Sequence, residues 1–542
     1  MTSTRIALKK SLIGIAVCSL AGWGLADGSQ PMRTGEPDVV KPAPAQSPTL
    51  AGSRPNIVLV LTDDQGYGDL SAHGNPVLQT PHLDRLQAES LRFTDFLVSP
   101  TCSPTRAALM TGRHEFANGV THTIYERERL TLAATTIAQL LQAGGYATGI
   151  FGKWHLGDEA EYRPDRRGFD EVYIHGGGGI GQTYPGSCGD APDNGYFDPA
   201  LLHNGTFEKT EGYCTDLFFR QAFQWIEAQA TAEKPFFAYI ATNAPHAPYV
   251  ARPEDRTRYE GRGRLNPSQQ NFFGMIHNID ENIGRLVNRL DELGIAETTL
   301  VVYMNDNGGT AGVPIFNAGM RGAKGTPWLG GTRAMSLWRW PGRIHPGTCD
   351  RLVAHIDVFP TFAELAGVDL AANESLRDQV AGRSLVPLLT DPAAPAGLAW
   401  DERPLFTHVG RWPRRSDPSL AKYQAAAVRT KAWALVSPEG GPEPHWQLYD
   451  LRTDYGQEHD VRAAHPDVAN RLAAAFDHWW ADVLPRLINE QAVGPQINPF
   501  QELYYRQFGG QPTPEARERM RPEREALPPQ RRSAQPKTTP AG

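Results

Sequence analysis

Four stretches of the chain share one grammar, a short continuous apolar run that breaks off into a polar cluster. Pro55–Leu61 (PNIVLVL) runs into Thr62-Asp63-Asp64-Gln65-Gly66, and Tyr146–Phe151 into Gly152-Lys153-Trp154-His155. Pro235–Ala241 (PFFAYIA) ends in Thr242-Asn243-Ala244-Pro245-His246, and Thr299–Met304 (TLVVYM) in Asn305-Asp306-Asn307-Gly308-Gly309. Runs of this length, rich in β-branched and aromatic residues, predict strands buried on both faces. Between them Pro81–Phe93, Cys214–Gln229 and Phe272–Leu293 carry apolar residues at helical spacing, and Leu140–Gly145 closes another apolar helix. Strands alternating with helices predict an α/β domain, a mostly parallel central sheet flanked by helices. Ligands of such sheets sit beyond the carboxyl ends of the strands, where all four clusters fall. Each cluster alone is an ordinary turn composition. Together they deliver Asp63, Asp64, Lys153, His155, His246, Asp306 and Asn307 to one crevice.

Farther along, a glycine-punctuated loop, Arg321–Thr326 with Gly330–Arg333, presents Lys324, Leu337–Pro341 reads as another strand, and His355–Leu365 as a helix with Asp357 at its cap. Pro and Ala clusters mark a boundary across Asp378–Arg403. Beyond it Ala425–Val428, Ala432–Val436 and His445–Leu451 read as short strands and His465–Leu484 as a covering helix, a small α+β C-terminal domain with an antiparallel sheet. The expected layout is a catalytic domain over 54–385, the α+β domain over 400–490, and a disordered or wrapping tail over 511–542.

The N-terminus changes the picture of where the chain works. Arg5, Lys9 and Lys10 precede the apolar run Ser11–Leu25, with small residues at Gly24-Leu25-Ala26, so residues 1–26 read as a signal peptide and 27–53 as a flexible linker. Export to the periplasm or outside the cell is expected, with no stable membrane insertion. Lipidation at Cys18 is disfavoured because Val17 stands where a small residue belongs. Over 542 residues the net charge is −7, with basic residues spread throughout and no stripe for nucleic acid. Of five cysteines, Cys188 and Cys214 flank a Gly-rich insertion, Gly176–Asp216, that a disulfide would bridge in an oxidising compartment; no Cys-x-x-Cys occurs.

Chemistry concentrates in Ser99–Arg113, SPTCSPTRAALMTGR. Ser103 is suited to cap and Pro104 to the first turn of a helix stopped by Gly112, which sets Cys102 at a helix N-terminus. The helix dipole and Arg106 there are expected to lower the thiol pKa or to bind an anion. Asp63, Asp64, Asp306 and Asn307 form an all-oxygen set that favours a hard cation, Ca²⁺ ahead of Mg²⁺, whose open positions a substrate oxygen and the nucleophile at Cys102 would fill.

Cys102-x-Pro104-x-Arg106, continued by Ala-Ala-Leu-Met-Thr-Gly-Arg, closely resembles the signature of the type I sulfatases, and Gly145–Gly157 (GYATGIFGKWHLG) resembles their second signature. The resemblance implies an alkaline phosphatase-like fold and a sulfuric ester hydrolase acting on a sulfated small molecule or polysaccharide. It further implies oxidation of Cys102 to formylglycine by a formylglycine-generating enzyme, and bound calcium. By the same resemblance Lys153 holds the nucleophile or a sulfate oxygen, and His155 takes a proton in sulfate release. His246 and Lys324 bind sulfate oxygens and assist the leaving alcohol. Arg106 and the two lysines would neutralise the sulfuryl group, and Asp306 would accept the nucleophile's proton. Two other readings compete: a phosphonate monoester or phosphodiester hydrolase of the same superfamily, and a non-catalytic sulfated-glycan-binding protein whose Cys102 stays unmodified. Trp412, Trp328 and Tyr184 are candidates for stacking on a sugar or aryl ring, or for packing.

Overall fold

The computed structural model describes residues 49–393 and 398–525; the expected signal peptide, Cys18 and nearly all of the linker lie outside them. An eleven-stranded sheet carries the fold. Its strands are β1 (Asn56–Thr62), β2 (Leu91–Leu97), β3 (Ala147–Lys153), β4 (Glu171–His175), β5 (Ala200–His203), β6 (Thr206–Lys209), β7 (Phe236–Ala241), β8 (Thr299–Asn305), β9 (Arg333–Ala334), β10 (Ser336–Arg339) and β11 (Gly347–Ala354). They run in the order β11-β2-β10-β8-β1-β7-β3-β4-β5-β6, with β9 on β2. The four apolar runs are the adjacent strands β8, β1, β7 and β3, all parallel.

Alternation across β1 explains why these runs are apolar at every position. Ile57, Leu59 and Leu61 enter one core with the helices Cys102–Thr111, Ile137–Ala143 and Val358–Leu365. Val58 and Val60 enter the other, against Pro81–Ala88, Cys214–Thr231 and Pro267–Glu292. With helices on both faces, neither side of the strand meets water.

Local readings needed correction at several points. The helix expected over Pro81–Phe93 ends at Ala88, because Leu91-Arg92-Phe93-Thr94 alternates with period two and forms β2. The insertion Gly176–Asp216 contributes β5 and β6, which extend the sheet antiparallel. Cys188 and Cys214 are buried free thiols and form no disulfide. Within the tail expected to be disordered or to wrap, residues 514–520 are helical, Met520 is buried and its carbonyl accepts from the Gly186 N–H at 2.9 Å, while 526–542 lie outside the described residues.

A second, four-stranded antiparallel sheet comprises β12 (Leu405–His408), β13 (Ala426–Arg429), β14 (Trp433–Ser437) and β15 (Gln447–Asp450). Ala426, Val428, Leu435 and Leu448 pack on Leu472, Phe476 and Trp480 of the helix Pro466–Val483. Ala427, Ala434, Val436 and Tyr449 face the other way and share a core with Val58 and Met335, so the two sheets lie in one compact unit.

Asp357 ties the junction. It is fully buried, accepts from the Ala354 and Arg383 N–H groups at 2.8 and 2.7 Å, and takes the Arg403 guanidinium bidentately at 2.8 and 2.7 Å. Asp357→Ala would strand a buried guanidinium and two N–H groups. A loss of about 3–5 kcal/mol is expected, seen as a lowered urea midpoint with an unchanged slope.

Candidate active site

Because β8, β1, β7 and β3 are neighbours and parallel, their carboxyl ends open at one edge, and the loops leaving them are drawn together there. A Cβ on Gly66 would lie 2.7 Å from the Gly309 Cα, so only glycine lets the loops after β1 and β8 touch. Asp64 and His155 adopt left-handed backbone, φ 69° and 61°, costing roughly 1–3 kcal/mol each. Such strain is characteristic of chain held for a purpose other than stability.

Three buried carboxylates meet three cations. Lys153 Nζ donates to Asp63 Oδ2 at 2.5 Å, Lys324 Nζ lies 2.5 Å from Asp64 Oδ1, and Arg106 Nη2 donates to Asp306 Oδ2 at 2.9 Å. Asn307 Nδ2 donates to Asp64 Oδ1 at 3.0 Å, and the Asp64 N–H to Asp306 Oδ1 at 3.2 Å. Burial alone would raise the Asp64 carboxyl, but Lys324, with His246 behind it, holds it well below the usual carboxylate range. Asp306 goes the other way, to about 7, through burial and the nearby Asp63 charge, against the pull of Arg106.

Cys102 begins the helix Cys102–Thr111 and is buried. Thr101, not Ser103, is the N-cap; the Ser103 hydroxyl donates to the Glu128 carbonyl at 3.3 Å. The expected lowering of the thiol pKa is corrected. Burial raises it, outweighing Lys153 and Lys324, and Arg106 turns away to the Lys153 carbonyl at 3.0 Å and to Asp306. An unmodified Cys102 is therefore a protonated thiol at neutral pH and a poor nucleophile.

Both histidines are neutral. Burial, helped by Lys153, takes His155 well below its ordinary value, and burial takes His246 to about 3 despite Asp64. His155 Nε2 lies 2.8 Å from the Thr123 carbonyl and must donate to it, which leaves Nδ1, buried and unpartnered, as a free lone pair. His246 Nδ1 donates to the Ala247 carbonyl at 2.7 Å, so the neutral ring carries no proton on Nε2, 3.9 Å from Asp64 Oδ2.

A cavity of about 100 Å³ connects Cys102, His155, His246 and Lys324 with Thr123, Ile124, Gly178, Gln182, Tyr184 and Arg411. Arg106, Lys153 and the carboxylates lie behind that wall. Of the aromatic candidates only Tyr184 reaches the cavity; Trp412 and Trp328 are 2 % and 6 % exposed and serve as core. Gln182 and Arg411 escaped sequence reading. Gln182 follows a glycine run without a motif, and Arg411 comes from the loop between β12 and β13, remote in sequence from every other member.

A cation fits the acid set. Ligand atoms of Asp63, Asp64, Cys102 and His246 all lie within 4.8 Å of one another, and Asp63 Oδ1 and Asn307 Oδ1 are buried without a hydrogen-bond partner. Asp306 stands beside this set, bonded to the Asp64 N–H and to Arg106.

A mostly parallel sheet with a basic, acid-backed pocket at its carboxyl edge defines an α/β protein of the alkaline phosphatase fold. A family model described as Sulfatase matches residues 55–368, and the chain belongs to the type I sulfatase family. It is 36% identical over 348 residues to arylsulfatase A of Homo sapiens, an alignment covering 59% of this chain and 66% of that protein. It is 33% identical over 390 residues to N-acetylgalactosamine-6-sulfatase of Canis lupus familiaris, covering 66% of this chain and 69% of that one. Among solved structures, the one titled Crystal structure of Ps i-CgsB superposes with a TM-score of 0.69 at 28% identity, over 84% of this chain and 97% of its own. Among the described residues no helix is long and apolar enough to cross a membrane.

Asp69 supports the acid-bearing turn from beneath. Its Oδ2 accepts from the Gly66 N–H at 2.8 Å, Oδ1 has no partner, and burial lifts the carboxyl to about 7. The folded state thus holds a proton that the unfolded chain releases near its ordinary value of 3.8, so this group's contribution to stability falls as pH rises towards 7 and then levels off. Asp69→Asn should reduce the stability lost between pH 5 and 8 by about 2–3 kcal/mol, measured by urea denaturation at both values.

Proposed function

We propose that this protein hydrolyses sulfate monoesters, of aryl or carbohydrate type, releasing inorganic sulfate, with a formylglycine made from Cys102 and with Ca²⁺. The observation that carries the reading is the placement of Cys102, at a helix N-terminus on the wall of a pocket shared with His155, His246 and Lys324. A binding module has no use for a buried thiol set against two neutral imidazoles and a lysine.

Formylglycine would supply a hydrated aldehyde, one hydroxyl able to attack sulfur and the other to permit elimination of sulfate without water attacking sulfur. Calcium, held by Asp63, Asp64, Asp306 and Asn307 next to the residue at 102, would supply positive charge beside the sulfate oxygens. The chain's own residues do the rest. Lys153 and Lys324 place positive charge against the sulfuryl oxygens, the electrostatic contribution that is usually largest. Arg106 holds Asp306 in place, and the Asp306 carboxylate is the group placed to receive a proton from the attacking group. His155 Nδ1 is the free base for the second hydroxyl. His246 Nε2 carries no proton in the neutral ring, so Lys324 is the resting donor to the leaving alcohol, and His246 joins it only when bound sulfate raises its basicity. Maturation by a formylglycine-generating enzyme and export to the periplasm or beyond complete the proposal.

Mass spectrometry of the tryptic peptide Phe93–Arg106 from the native host should find an aldehyde in place of the Cys102 thiol, and the purified protein should release sulfate from 4-nitrophenyl sulfate or a sulfated sugar faster than it cleaves matched phosphate or phosphonate esters. A fully unmodified thiol would favour the glycan-binding reading. Cys102→Ser should accumulate a covalently sulfated enzyme, visible by mass, and fail to turn over steadily. Stripping divalent ions with a chelator should abolish sulfate release and lower the Tm, and Ca²⁺ should restore both.

A further inference from the structure

The loop between β12 and β13, residues 409–425, passes from the second sheet to the mouth of the catalytic pocket and carries near its start Arg411, whose charge is not neutralised. Gly410 sits so close to the chain beneath that a Cβ there would lie 2.0 Å from the Thr121 carbonyl oxygen. The Arg411 N–H donates to the same carbonyl at 3.2 Å, and Arg411 adopts φ 60°, left-handed backbone that a β-carbon disfavours. Its side chain is exposed, lines the cavity beside Cys102 and Lys324, and donates through Nη2 to the Thr123 hydroxyl at 3.2 Å. Nη1 lies 4.0 Å from where a Cβ on Gly325 would be, next to Lys324 in the chain.

Neighbouring cations are spoken for. Arg414 pairs with Glu126 at 3.4 Å, Arg127 with Glu490 at 3.2 Å and Lys324 with Asp64. Among the described residues no carboxylate forms an ion pair with Arg411. A planar, permanently charged fork held at a pocket mouth with open donors matches a carboxylate or sulfate. Tyr184 and Gln182, joined by a 3.2 Å hydrogen bond, line the same cavity and offer a ring and an amide to a sugar.

We propose that Arg411 is a specificity-determining residue that binds a second anionic group, sulfate or carboxylate, on the substrate, so that the preferred substrate is a polyanionic glycan rather than a singly sulfated one. This rests on the sulfate-ester reading of the pocket. A residue binding the reacting sulfate would affect all ligands equally, whereas Arg411 acts on the difference between one and two anionic groups.

The test is calorimetric binding at low salt to the full-length protein produced without the aldehyde, so that no ligand is consumed and failure of catalysis does not confuse the outcome. The probes are a monosulfated hexosamine, the disulfated hexosamine, and a disaccharide joining the monosulfated hexosamine to a uronate, with the uronate methyl ester as its neutral match. Wild type should bind at least one two-anion ligand about tenfold more tightly than its one-anion match, and Arg411→Gln should bring that ratio to within about threefold, with Arg411→Lys between. Gain with the second sulfate or with the free uronate identifies which anion is read. A ratio unchanged in Arg411→Gln, an equal loss for every ligand, or no preference in the wild type would overturn the proposal.

Discussion

Charge brought out of water at the carboxyl edge of the sheet is the constraint on which the rest depends. Asp63, Asp64 and Asp306 are buried and so are Arg106 and Lys153, with Lys324 closing over them. None of these charges is tolerable alone, since an unpaired buried ion costs several kcal/mol. Each is therefore bound to a counter-charge from a different strand exit or loop. That mutual dependence ties three strand ends, the start of the Cys102 helix and the Lys324 loop to one another.

The same balance defines what the pocket accepts. The three carboxylates already offset the three cations, so a divalent cation held by the acids, as proposed, would free the lysines to meet an anion. On the proposed reading, metal and sulfate would be complementary loads, the first unmasking the positive charge that the second requires. Neutral histidines fit this economy, because a protonated imidazole would add charge that nothing offsets while giving up the lone pair that general-base work needs.

The second sheet is part of this arrangement. Its inner face shares a core with the large sheet through Ala427, Val436 and Tyr449, and Asp357 and Arg403 lock the junction. With that face fixed, the β12–β13 loop has a defined position over the pocket. Core chemistry is thus built by the large sheet, and the approach to it by the insertion carrying Gln182 and Tyr184 and by the loop carrying Arg411.

The four central strands, their exits and the residues at them were legible because each signal is local: a β-branched run must be buried, and in a parallel sheet the polar residues that follow it leave at the same end; their order, β8-β1-β7-β3, came only from the fold. The two signatures around Cys102 and Lys153 were legible for the same reason, as consecutive residues. Beta strand β2 was missed because Leu91–Leu97 follows a helix within two residues of its end, and β5 and β6 because short edge strands carry little periodicity. Three properties lay beyond any local pattern. The protonated Cys102 thiol follows from burial that no window of sequence reports, and the free nitrogens of His155 and His246 depend on the carbonyls of Thr123 and Ala247. Arg411 joins the pocket only because two sheets pack together. The sequence by itself determined which chemical groups are present and which strand ends deliver them; tertiary structure decided their protonation, their partners and the pocket's rim, because solvation and long-range contact exist only once the chain is folded.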